Sequence, residues 1–157
     1  MDSTQKAPSY APLPDSLSKI LELYDSLPPP TTLLTEGRFY GHSIGPTWLV
    51  AMGWPLLNFG AMAGWKGKHF YEGGHVLNIV ERKAVESEIL PISSSILPYT
   101  KGHGNALRLS YPSDSPFPWN RITDELRPLS DGRYLGVTTL DMPLMKRLPY
   151  PFVLTPA

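Results

Sequence analysis

Eighteen prolines spread along 157 residues set the strongest limit on what this chain can fold into. Proline fixes φ and removes a backbone donor, so prolines at this spacing interrupt long helices and disfavour a helical bundle. The segments between them are short, and in many of them apolar and polar residues alternate as in half-buried strands. About eight to ten such segments predict a mainly β fold, an antiparallel lipocalin-like β-barrel with a ligand-sized interior.

The clearest hairpin signal is Ser130-Asp131-Gly132, which joins predicted strands over 122–129 and 134–139. Further strands are predicted over 75–82, 86–92, 95–99, 106–111 and 150–154. Pro91 and Pro98 are expected near strand ends or on an edge, because proline cannot donate to a sheet.

Residues 1–14 contain three prolines and no periodicity, which indicates a flexible N-terminal arm. The remainder, 15–157, is predicted to form a single domain. Apolar residues at i, i+3, i+4, i+7 and i+10 predict an amphipathic helix over 17–27, capped by Asp15 or Ser16. This helix is expected to pack against the outside or one mouth of the barrel.

The stretch 36–74 holds three of the four tryptophans and has strand character at both ends. Its apolar middle, Pro46 to Met62, is too long for a hairpin turn, and we expect one or two short helices beginning at Pro46 and Pro55. Such a segment would form a lid, or simply a plug, at one mouth of the barrel. The tryptophans belong to the core or to a pocket, and the candidates to bind a substrate are Trp48, Trp54, Trp65 and Trp119.

Bulk properties exclude several classes of function. The formal charge is +0, which argues against non-specific nucleic-acid binding and against a basic membrane-surface face. No segment is long and apolar enough to span a membrane, and no secretory signal is visible. The chain has no cysteine, which rules out disulfides and thiolate chemistry and is compatible with the cytoplasm. A homodimer is compatible with the sequence.

Four segments in order resemble a known domain: DSLPPPTTLLTEGRFYGHSI, GWKGKHF, DELRPLSDGRYLGVTT and PFVL. Together, across 25–155, they look like the small GxWxG-type β-barrel family and its C-terminal companion, although the first signature here, Gly37 to Gly41, has no tryptophan. The resemblance implies the barrel and no particular reaction. At the level of fold, the chain is also similar to lipocalin-like cyclases of fungal natural-product pathways, which hold an apolar intermediate without a cofactor.

Motifs for bound groups are missing from the sequence. The four histidines have no metal-ligand spacing, the glycines follow no phosphate-loop pattern, and no nucleophile elbow surrounds a serine. We therefore predict neither a metal nor a cofactor.

A small set of polar residues could carry chemistry inside the barrel. Asp124 lies between Ile122 and Leu126 on one strand face, where burial would raise the pKa of an unpaired carboxyl group. It could serve as a general acid or a hydrogen-bond donor to a substrate carbonyl. Alternatively it pairs with an arginine, namely Arg127, Arg38 or Arg108.

Tyr40 and His42 share a strand face with Arg38, and if that face points inward they could polarise a substrate carbonyl. We predict Asp124, Tyr40 and His42 as catalytic residues and Arg38 as a substrate-binding residue. Asn78, between two valines, is predicted as an uncharged substrate anchor, whereas Lys68 is expected to face solvent.

These features predict a cofactor-independent cyclase or isomerase for a hydrophobic terpenoid or polyketide, a Diels–Alder-type cyclisation being the sharpest version. Such a reaction needs a shaped apolar pocket and one or two hydrogen bonds to a carbonyl. The alternative is a non-catalytic carrier of a lipid or another apolar molecule with the same pocket. A scaffold that binds another protein through the proline-rich arm has less support.

Overall fold

The chain forms a closed barrel of eight antiparallel strands with one helix outside and one across a mouth. The computed structural model describes residues 9–58 and 60–157, without the side chains of Trp54 and Leu56. The strands pair in chain order, and the last returns to the first. The mainly β, lipocalin-like barrel is confirmed. The strands are β1 (Gly37–Ser43), β2 (Trp65–Phe70), β3 (His75–Arg82), β4 (Val85–Pro98), β5 (Asn105–Ser110), β6 (Ile122–Pro128), β7 (Tyr134–Leu140) and β8 (Tyr150–Pro156).

The first helix, α1 (Leu17–Ser26), begins where the sequence places it. The hydroxyl of Ser16 accepts a hydrogen bond from the backbone N–H of Lys19 and caps the first turn. Ile20 and Tyr24 are fully buried against outward-facing residues of β5 and β7. The apolar stripe of α1 therefore makes a second, smaller core on the outer wall of the barrel.

Arg127 connects α1 to the barrel through hydrogen bonds. Its guanidinium is buried, donates to the carbonyl oxygens of Tyr24, Asn105 and His103, and lies 4.7 Å from the centre of the Tyr24 ring. Because all these groups lie outside the barrel, Arg127 cannot pair with Asp124.

The N-terminal arm is described from residue 9 onward, and residues 1–8 lie outside the described residues. Arg133 donates to the carbonyl oxygen of Ala11 at 2.8 Å and lies over the ring of Tyr10. The described part of the arm thus contacts the β6–β7 hairpin.

The second helix, α2 (Thr47–Asn58), covers one mouth of the barrel. Pro46 stands just before its first residue, as expected, but Pro55 lies inside the helix and does not begin a second one. A short 3-10 turn, Gly60–Met62, follows and leads into β2. None of the helices in the described ranges is long and apolar enough to cross a membrane.

Two irregularities in strand pairing depart from simple alternation. Residues 85–98 form one long strand instead of the two predicted, and Leu90 takes a positive φ beside Pro91, where the register with β3 shifts. A second shift lies between Trp65 and Gly67. The extra residue turns Trp65 inward, so Trp65 and Lys68 both reach the interior despite an odd spacing.

Candidate functional site

A buried ion pair lies inside the barrel. The Nζ of Lys68 on β2 is 3.1 Å from Oδ2 of Asp124 on β6, and these residues are only 2% and 4% exposed. Lys68 also donates to Oδ1 of Asn78 on β3 at 3.0 Å. Three strands therefore contribute to one polar cluster in an otherwise apolar core.

Asn78 lies at the centre of this cluster and forms hydrogen bonds with several of its members. Its Oδ1 accepts from Nε1 of Trp65 at 3.1 Å as well as from Lys68, and its Nδ2 donates to the hydroxyl of Tyr111 and to the carbonyl oxygen of Leu90. An amide placed this way satisfies donors and acceptors on opposite walls of the barrel. Asn78 therefore connects Trp65 and Lys68 on β2 with Tyr111 at the end of β5.

The electrostatics keep Lys68 charged. Burial lowers the pKa of this amine, but Tyr111 and the Asp124 carboxylate raise it, and the net pKa lies above its ordinary value. The ammonium group also lies 5.8 Å from the centre of the Trp65 ring and 5.7 Å from that of Tyr111. Lys68 is therefore a cation and a hydrogen-bond donor, and not a nucleophilic amine.

An apolar cavity of about 80 Å³ lies directly beneath α2. Its wall is formed mainly by side chains from α2 and from strand ends at this mouth, among them Leu49, Val50, Leu57, Trp119, Ile122 and Leu140. The Trp119 ring also packs against Tyr111, with centroids 5.8 Å apart, and Tyr111 in turn accepts from Asn78 in the polar cluster.

Besides Ser43, two residues that carry hydroxyl groups, Thr138 and Tyr150, line the cavity. They face each other across β7 and β8. Thr138 donates through Oγ1 to Oδ1 of Asp124 at 2.6 Å, which links the wall to the ion pair. The hydroxyl of Tyr150 is buried and has no hydrogen-bond partner among the described residues. Burial raises the pKa of Tyr150, so this phenol stays protonated and can donate.

The structure corrects the expected face of β1. Phe39 is buried in the core, whereas Arg38, Tyr40 and His42 lie on the outer face. Arg38 pairs there with Glu86, and His42 lies beside the N-terminal arm. The inward orientation expected for these three residues is wrong, because the chain places the large apolar side chain, Phe39, in the core.

Asp124 is inward as expected, but its partner is none of the three arginines named from sequence. The expectation that Lys68 faces solvent is wrong, because Lys68 faces Phe39 across β1 and β2 inside the barrel. The inward position of Lys68 was not predicted because of the register shift between Trp65 and Gly67. Simple alternation from Trp65 would place Lys68 on the other face.

The four tryptophans lie in different environments. Trp119 lines the cavity, and Trp65 lies in the interior beside Gly41, bonded to Asn78. Trp48 is 54% exposed on the outside of α2, so it cannot contact a ligand in the cavity as placed. Trp54 belongs to α2, and its side chain lies outside the described part of the chain.

Three residues of the site were not predicted from the sequence: Lys68, Thr138 and Tyr150. Thr138 shares the inner face of β7 with Leu140, a period-2 signal that was available. Tyr150 opens β8 after a loop, and nothing in the sequence indicates that its hydroxyl lacks a partner.

Within the described ranges, no three His, Asp or Glu side chains come close enough together to hold a metal ion. Comparisons of the chain with protein-family models, curated proteins and solved structures found no match. The function is therefore inferred from the geometry of the barrel interior.

Proposed function

We propose that this chain is a cofactor-independent cyclase or isomerase that holds a hydrophobic, carbonyl-bearing terpenoid or polyketide intermediate beneath α2. The observation that carries the proposal is the apolar cavity whose wall is connected through Thr138 to the buried Asp124–Lys68 pair. Buried ion pairs rarely stabilise a fold more than apolar packing would, so their placement beside a cavity favours a functional role.

Shape is the first contribution of the cavity. A cyclisation is accelerated when the reacting ends of a flexible substrate are held in contact, which an apolar pocket does without acid–base chemistry. A cavity of about 80 Å³ holds only a small apolar group in the closed arrangement. We therefore propose that α2 moves outward to admit a whole intermediate.

Charge stabilisation is the second contribution. The unpartnered hydroxyl of Tyr150 can donate to a substrate carbonyl, and its hydrogen bond would strengthen as negative charge develops on that oxygen. Thr138 donates its hydroxyl hydrogen to Asp124, so its oxygen can only accept a further hydrogen bond, as from a substrate hydroxyl. In this proposal Tyr150 takes the carbonyl-polarising role, and Asp124, held by Lys68, positions Thr138.

A carrier of a lipid or another apolar molecule is the alternative function. It is favoured by the fact that Lys68 and Asp124 do not themselves line the cavity, whose wall is mainly apolar. A carrier needs no group that stabilises a transition state, so this wall would suffice.

Product formation from a polyene carbonyl of terpenoid or polyketide type tests the proposal. Tyr150→Phe should lower turnover by about 10- to 100-fold with little change in melting temperature, because it removes one donor to the developing charge. The matched control is Tyr40→Phe on the outer wall, which should leave turnover unchanged. An equal loss of turnover in the two variants would contradict the proposed role of Tyr150. Binding without conversion above the uncatalysed rate would establish the carrier.

Two further features belong to the proposal. We propose that the protein acts in the cytoplasm, with which a chain lacking cysteine is compatible. A homodimer is a second arrangement to be tested, and light scattering on the purified chain decides between monomer and dimer.

A further inference from the structure

We infer that the mouth covered by α2 docks onto the surface of an anionic phospholipid bilayer. In an antiparallel barrel closed in chain order, the β1–β2, β3–β4, β5–β6 and β7–β8 connections all lie at the same end. This end is the one that α2 covers, and it is hereafter called the lid end.

Exposed apolar side chains are concentrated at the lid end. Among the described residues, five large apolar side chains at this end are between 49% and 83% exposed: Trp48, Met52, Val85, Phe117 and Leu144. The other three exposed large hydrophobic residues, Tyr40, Tyr71 and Leu97, lie elsewhere on the barrel and are only 36% to 38% exposed. The most exposed large apolar side chains of the described residues therefore lie at the lid end.

The arrangement of these side chains fits a flat, fluid surface. They lie on or directly beside all four connections at this end, and Val85 is the first residue of β4. Separate apolar side chains at the edge of a domain can each enter the boundary between lipid headgroups and acyl chains. Trp48 is suited to that boundary, because its ring is apolar and its indole N–H is polar.

Charge at the lid end favours an anionic surface. The whole chain has a formal charge of +0. The lid-end connections nevertheless carry four exposed cations against two carboxylates: Lys83, Arg121, Lys146 and Arg147 against Asp114 and Asp141. The sequence from 44 to 64, which includes α2, contains no charged residue, so it could enter the interface without desolvating a charge.

Docking would also place the ligand cavity next to an apolar phase. Leu49 on the inner side of α2 lines the cavity, whereas Trp48 and Met52 on the same helix face outward. One helix therefore separates the cavity from the proposed lipid surface. The docking inference goes beyond the proposed reaction, and it can be tested with no substrate present.

Flotation of the full chain with lipid vesicles tests this inference. Vesicles of phosphatidylcholine mixed with phosphatidylserine should carry the chain upward, more strongly at low salt, and pure phosphatidylcholine should carry much less. Replacing Trp48 and Met52 together by serine should lower the bound fraction by about tenfold, and Phe117→Ser on another connection should also weaken binding.

The matched control replaces Tyr40 and Leu97 together by serine, away from the lid end, and should bind vesicles like the parent. Melting temperatures show that each variant is folded. The inference is overturned if the parent does not float, if the control loses binding equally, or if both vesicle types bind equally. It is also overturned if light scattering finds a dimer that the Trp48 and Met52 variant converts to monomer, since the face would then bind a second copy.

Discussion

Replacing Lys68 by methionine would leave the Asp124 carboxylate buried without its cation. The two charges are 3.1 Å apart, which corresponds to an attraction of about 5 kcal/mol at an effective dielectric constant of about 20. Breaking one side of a buried pair costs about 3–5 kcal/mol, because the remaining charge stays desolvated. For a chain of this size we expect the melting temperature to fall by roughly 6–20 °C.

Urea unfolding followed by tryptophan fluorescence measures this loss. Adding Asp124→Asn to Lys68→Met should recover much of it, because the amide keeps the hydrogen bond from Thr138 and removes the unpaired charge. The matched control is Lys66→Met on the same strand, whose pair with Glu81 is 37% and 41% exposed. That variant should change stability by less than about 1 kcal/mol. Equal losses at Lys66 and Lys68 would refute the reasoning.

Lys68 also sets a pH dependence. Its pKa in the folded chain is raised above the ordinary value of 10.5. Its contribution to stability is therefore fully present below that value and is lost as the pH rises through the raised folded pKa. The Lys68→Met, Asp124→Asn double variant should lose less stability than the parent above pH 10.5. Equal losses of stability in the two proteins above that pH would contradict this.

Three further predictions concern the supporting structure. Gly41→Ala should cost about 1–3 kcal/mol in urea unfolding, because the new Cβ would lie 2.3 Å from the ring of Trp65. Arg127→Met should cost about 3 kcal/mol or more and speed hydrogen exchange throughout α1, because buried backbone carbonyls lose their donor. Burial raises the pKa of Glu88, but hydrogen bonds from donors including Tyr71 lower it by more. The net pKa therefore lies below its ordinary value. The contribution of Glu88 to the free energy of unfolding is present above that ordinary value and should be lost as the pH falls through the lowered pKa. Glu88→Gln should therefore make the stability depend less on pH in acid.

The fold was predictable because strand alternation, turn residues and proline positions agree with one another along the chain. All seven strand segments with predicted bounds overlap observed strands, and the two strand-like ends of 36–74 form β1 and β2. The Ser130-Asp131-Gly132 turn joins β6 and β7 as expected. The cap at Ser16 and the buried residues of α1 also follow from local pattern alone. Such signals depend on near neighbours in sequence, which is why they are visible without a structure.

The site was predictable only in part, because it depends on register. Asp124 and Asn78 were expected to be inward, since each lies between apolar residues on a regular strand face. Lys68 was missed because one extra residue in β2 reverses the alternation after Trp65. Tyr40 and His42 were expected inward, but the same period-2 pattern fits either face, and the burial of Phe39 decides it.

The most direct test of the proposed ligand site is a crystal structure with a brominated apolar ketone, in which anomalous scattering locates the bromine atom. We expect the bromine atom beneath α2, against Leu49, Ile122 and Leu140, with the ketone oxygen within hydrogen-bond distance of the Tyr150 hydroxyl. A ketone that binds in solution but whose bromine atom lies outside this cavity would show that the proposed ligand site is wrong.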